Sequence, residues 1–121
     1  MVLMINRKLI TREQALRAIE TGEFGKDILT SKPRVVIILT QDWCPQWHDM
    51  RGWLYEHDTR EDIDIYELEY NKTDFFDEFR NFKENRLGND TIPYVRFYRE
   101  GVLYRESNYI SEGQFFEILS M

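Results

Sequence analysis

The run Arg34-Val35-Val36-Ile37-Ile38-Leu39-Thr40, followed at once by Gln41-Asp42-Trp43-Cys44-Pro45-Gln46-Trp47, decides the fold. A short, continuous and mostly β-branched run reads as a strand buried on both faces, the kind found in the middle of a parallel sheet. A helix is predicted behind it from about Gln46 to His57, because Trp47, Met50 and Leu54 recur at spacings of three and four. The lone cysteine therefore stands where a buried strand ends and a helix opens.

Upstream, Thr11 to Glu20 predicts a helix. Thr11 caps it, Gln14 completes a capping box, and Ala15, Leu16 and Ile19 form the apolar stripe. Gly22 and Gly25 interrupt the pattern, and Phe24, Ile28 and Leu29 suggest a further helical turn, so residues 1–33 read as a helical N-terminal segment. Downstream, Ile63 to Tyr70 alternates as a strand. Thr73 is placed to cap a helix whose buried stripe is Phe75, Phe76, Phe79 and Phe82. Tyr94 to Tyr98 and Val102 to Arg105 form a hairpin turning at Glu100-Gly101, and Ser111 with Gln114 caps a last helix.

The order is helix, strand, helix, strand, helix, hairpin, helix. The first two strands, joined through a helix, are expected to be parallel with a right-handed crossover, and the last two antiparallel. That is an α/β chain: one domain over residues 1–121, with a central mixed sheet of four to five strands between helical layers.

Two segments on that framework resemble the thioredoxin superfamily. Trp43-Cys44-Pro45-Gln46-Trp47 is similar to its Trp-Cys-x-x-Cys segment, with Trp47 where the second cysteine would stand. Thr91-Ile92-Pro93, running into Tyr94-Val95-Arg96-Phe97-Tyr98-Arg99-Glu100-Gly101, is similar to its cis-proline loop, next strand and glycine hairpin. The match runs in order from about Arg34 to Met121. It implies a thioredoxin-like three-layer fold, with Cys44 as the candidate catalytic nucleophile. Trp43, Pro45, Gln46, Trp47, Ile92 and Pro93 are the expected binding surface around it.

Composition sets the outer bounds. The 22 acidic residues outnumber 16 basic ones, for a net charge of −6. A field of that sign repels phosphate backbones and anionic lipid, so neither nucleic acid nor a membrane is an expected partner. The first ten residues include Asn6, Arg7 and Lys8 and do not read as a signal peptide. A single cysteine fits a reducing compartment, which makes the cytoplasm the expected location. One cysteine and two histidines argue against a structural zinc site, and no metal or other cofactor is expected.

The chemistry follows from the sulfur's position. The free N–H groups and dipole of a helix N-terminus favour negative charge there. Asp42 and Glu67 are candidate modulators that oppose that charge, and His48, one turn past Cys44, is a candidate compensating cation. Where thioredoxins carry a buried acid, six residues before the nucleophile, this chain has Ile38. Trp47 cannot resolve a mixed disulfide, so internal dithiol cycling is chemically excluded for the isolated monomer.

A single-cysteine cycle remains: Cys44 attacks, and an outside thiol such as glutathione resolves the adduct. Monothiol glutaredoxins work this way, but with small residues after the cysteine. Pro45-Gln46-Trp47 is bulkier, so no glutathione or cluster site is carried across. The expected partners are protein thiols or disulfides. Two other readings stay open beside that one: a non-catalytic module that grips a protein segment in the same groove, and a redox-sensing homodimer linked through Cys44.

Overall fold

A computed structural model of the chain describes residues 6–56 and 63–121. His57, the expected end of the helix after Cys44, lies outside them. The elements in order are β1 (Asn6–Leu9), α1 (Arg12–Thr21), α2 (Lys26–Leu29), β2 (Arg34–Thr40) and α3 (Pro45–Leu54). They continue with β3 (Ile63–Glu69), α4 (Phe76–Asn81), β4 (Tyr94–Arg99), β5 (Val102–Ser107) and α5 (Glu112–Leu119).

The five strands form one sheet in the order β1-β3-β2-β4-β5. β2 lies at its centre, parallel to β3 and antiparallel to β4. This is the mixed α/β sheet expected from the order of elements. Because β2 is covered on both sides, its alternate residues feed two cores. Val35, Ile37 and Leu39 pack with the α1, α2 and α4 side chains, whereas Val36 and Ile38 pack with those of α3 and α5.

Local chemistry accounts for most of the boundaries. Thr11 and Ser111 each form a full capping box, with Gln14 and Gln114 respectively. The β4–β5 turn places Glu100 at φ 51° and Gly101 at φ 78°. Two consecutive left-handed residues make the tight hairpin whose twist matches its strands.

Three expectations need correcting. Residues 6–9 are a strand, not part of a helical segment. β1 pairs parallel with β3 through its backbone while all four of its residues are exposed, so no apolar period marks it in the sequence. Thr73 does not cap α4. A 3-10 turn over Tyr70–Lys72 comes first, the Thr73 hydroxyl accepts from Phe75 N–H at 3.3 Å, and Phe75 itself takes the cap position. α3 stops at Leu54, short of His57, and α4 runs on into a π-helical turn over Phe82–Arg86.

Candidate functional site

Cys44 sits where β2 gives way to α3. Its backbone is extended (φ −71°, ψ 117°) and caps the helix, with Pro45 in the first turn, where a missing N–H leaves nothing unpaired. The Cys44 N–H donates to the Gln41 carbonyl at 3.3 Å, and its own carbonyl accepts from His48 N–H at 3.1 Å. The thiol is directed at the Ile92 carbonyl, with Sγ 3.9 Å from that oxygen.

The Ile92–Pro93 peptide is cis. Pro93 is buried, and half-buried Ile92 packs against both cores. The two segments that the sequence singled out, 48 residues apart, therefore meet at the sulfur. Cys44 is only 4% exposed and belongs to the apolar layer that holds Ile38, Trp47 and Met50.

The expected binding residues divide sharply. Trp43 is 61% exposed, its indole N–H donating to Gln41 Oε1 at 2.7 Å. Pro45 and Gln46 are exposed beside it. Trp47 is fully buried, so it offers no surface to a partner. Its indole N–H donates to Glu69 Oε2 at 2.9 Å, and the Arg51 guanidinium lies 5.9 Å from the centre of its ring. The third residue after the cap faces the core at this helix start, and an anchored indole fills the space.

The candidate charge modulators also separate. Asp42 is locked to Asn71: its N–H donates to Asn71 Oδ1 at 2.9 Å, and Asn71 Nδ2 donates to Asp42 Oδ1 at 2.6 Å. His48 is exposed, with its ring nitrogen against the Asp42 carbonyl. Glu67 is buried, and its carboxylate engages Arg7 at 2.5 Å and the Tyr55 hydroxyl at 2.6 Å. Tyr55 is the C-cap of α3, the end of the helix opposite Cys44. The Glu67 carboxylate is thus tied to the far end of that helix. Burial and the Glu67 charge together push the Tyr55 phenol well above its ordinary range.

Four residues at or behind the site escaped the sequence reading: Glu69, Asn71, Lys83 and Asn108. Burial works to raise the Glu69 pKa, but the Trp47 hydrogen bond and the neighbouring Lys72 and Arg51 charges hold it below its usual value. Glu69 pairs with Thr40 across the parallel strands. The expected end of that strand near Tyr70 was therefore the available signal for Glu69 and Asn71. Lys83 and Asn108 carry no signal in sequence; each acts through a side-chain amine or amide that reaches backbone carbonyls of the proline loop.

No protein-family model matches the chain, and no curated protein sequence matches it. Solved structures do. A thioredoxin from Halobacterium salinarum, solved as a point mutant, is 10% identical, covers 95% of this chain and 88% of its own, and superposes with a TM-score of 0.68. Oxidised thioredoxin O1 from Arabidopsis thaliana is 13% identical over 95% of this chain and 96% of its own, with a TM-score of 0.69. Thioredoxin F from spinach chloroplast is 12% identical, over 99% and 96%, with a TM-score of 0.66.

With the strand order, these likenesses show that the chain has the thioredoxin fold. Within that fold it carries a Cys-x-x-Trp segment, Cys44 to Trp47, in place of a pair of cysteines.

Proposed function

We propose that this protein acts in thiol–disulfide chemistry through Cys44 alone. The Cys44 thiolate attacks a sulfur of a partner's disulfide; a new S–S bond forms to Cys44 and the partner's other sulfur leaves as a thiolate. An external thiolate of the glutathione type then attacks the partner's sulfur in the mixed disulfide: a new S–S bond forms between them, and Cys44 leaves as its thiolate. A reducing compartment such as the cytoplasm suits this cycle, since it supplies the resolving thiol.

The observation that carries this reading is the seating of Sγ at the cap of α3, 3.9 Å from the Ile92 carbonyl and next to Pro93. Trp43, exposed beside it, supplies an aromatic anchor for a partner chain. Trp47 is held in the core by Glu69, which leaves no internal resolving group.

Turnover of a protein disulfide, measured with and without glutathione, tests the cycle. Turnover is expected only with the external thiol and is expected to vanish in Cys44→Ser. No turnover under either condition would overturn it.

One observation favours a second reading, a binding module without chemistry: Cys44 is only 4% exposed, and a sulfur reached only when its surroundings part reacts slowly. On that reading Cys44→Ser keeps full affinity for a captured partner. The same burial weighs against a dimer linked through Cys44, which needs two equally buried sulfurs to meet.

A further inference from the structure

The loop opposite the thiol is held in place by two side chains from elsewhere in the fold. Lys83, in the π-helical turn after α4, is fully buried. Its ammonium donates to the carbonyls of Asn89 at 2.8 Å and Thr91 at 2.9 Å, and lies 5.6 Å from the centre of the Tyr94 ring. Asn108, which follows β5, directs its amide to the carbonyls of Thr91 at 3.1 Å and Pro93 at 3.0 Å. Asn108 also exchanges amide hydrogen bonds with Asn89 at 3.0 and 3.1 Å. Asn89 in turn accepts from Thr91 N–H at 3.0 Å.

The carbonyls on either side of Ile92, those of Thr91 and Pro93, are thus both tied down. The carbonyl between them is the one that faces Cys44 Sγ. We propose that Lys83 and Asn108 are positioning residues of the Cys44 site: by clamping Thr91 and Pro93 they fix the Ile92 backbone against the sulfur and hold the loop ready for an incoming chain.

A lysine ammonium buried against carbonyls and a ring is a costly choice for packing alone, because an ion loses most of its hydration there. Burial pushes the Lys83 pKa down to about 8. At neutral pH the group still carries its proton and makes charge-assisted bonds, which are stronger than neutral ones. Asn108 gives the Pro93 carbonyl a partner that β5 does not supply, since the ladder between β4 and β5 opens at Val95 and Ser107.

The inference rests on the mixed-disulfide reading of Cys44, and its test separates the two. Two probes share one leaving group, 5-thio-2-nitrobenzoate: the small symmetric disulfide of that thiol, and its mixed disulfide with a cysteine in an extended eight-residue peptide. In each case the Cys44 thiolate forms the new S–S bond and the coloured thiolate leaves. Lys83→Met is expected to slow the peptide reaction about tenfold while changing the small-probe rate less than twofold. Asn108→Ala, which leaves the buried layer intact, is expected to shift the ratio in the same direction and serves if Lys83→Met does not fold.

Equal slowing with both probes, or none with either, would overturn the positioning role while leaving the Cys44 reading in place. A wild-type protein that reacts with neither probe would overturn both. Amide exchange at Asn89 and Thr91 gives a readout free of sulfur chemistry. At least tenfold faster exchange at both amides in Lys83→Met, at matched global stability, is expected; unchanged exchange overturns the clamp.

Discussion

The two faces of the sheet are built from different materials. Beneath α3 and α5 the core gathers Val36, Ile38, Trp47, Met50, Val95, Phe97 and Phe115 with Cys44, and it buries one carboxylate, that of Glu67, held at the far end of α3 by Arg7 and the Tyr55 hydroxyl. Beneath α1, α2 and α4 the same sheet buries two cations. Lys83 is held by loop carbonyls, and Arg96 lies between Tyr94 and Tyr98, bonding both hydroxyls at 2.7 Å and Glu23 at 2.7 Å. The thiol is presented by the apolar face, and the loop it meets is held from the polar one. A site assembled this way draws its shape from packing on one side and from directional bonds on the other.

That contrast can be broken by substitution. Trp47→Ala should be the most damaging change, costing about 3–5 kcal/mol for a large buried aromatic and the cavity it leaves. Denaturant unfolding measures it, and a loss below about 1 kcal/mol would mean that the apolar face collapses readily around the gap. Arg96→Met should cost roughly 2–3 kcal/mol, less than a fully buried pair because Glu23 is part-exposed and can rehydrate. A neutral result would show that the tyrosines, rather than the ion, hold the polar face.

Lys83 makes the stability of the polar face depend on pH. Its pKa falls from an ordinary 10.5 to about 8 in the fold. Between those values the unfolded chain binds a proton that the folded chain does not, so this residue's contribution to stability rises with pH across that window. The wild-type stability curve should climb relative to that of Lys83→Met between about pH 8 and 10.5; parallel curves would contradict it.

Cys44→Ser should abolish every adduct while costing only about 1 kcal/mol, the scale of a hydroxyl placed where a thiol packed. A cost as large as that of Trp47→Ala would make Cys44 a packing residue first. The smallest effect belongs to the surface: Arg12 and Asp74 form an exposed pair at 3.0 Å, and Arg12→Ala should leave the melting temperature unchanged within error.

The starts of α1 and α5 were plain in the sequence because capping is local: Thr11 with Gln14 and Ser111 with Gln114 are each three residues apart. The start of α4 was not, because a 3-10 turn precedes it and Phe75 takes the cap position. The central strand was plain because burial on both faces leaves an unbroken apolar run. Strand β1 was not, since all four of its residues are exposed and leave no apolar period. Trp43 and Trp47 look alike in one dimension, and only the direction in which each side chain leaves the backbone near the start of α3 makes one exposed and the other a core residue. Glu67 was expected to act near the sulfur. Arg7 and Tyr55 occupy it instead, and neither contact shows in the local sequence.

By itself, the sequence determined the α/β order of elements, the placement of the sole cysteine at a helix start, and the absence of a second thiol to resolve its adducts. Those are properties of neighbours along the chain. The tertiary structure decided how deeply the sulfur is buried, which carbonyl it faces and what holds that carbonyl still. Each of these depends on groups far apart in sequence, brought within hydrogen-bonding reach only when the two faces of the sheet are packed.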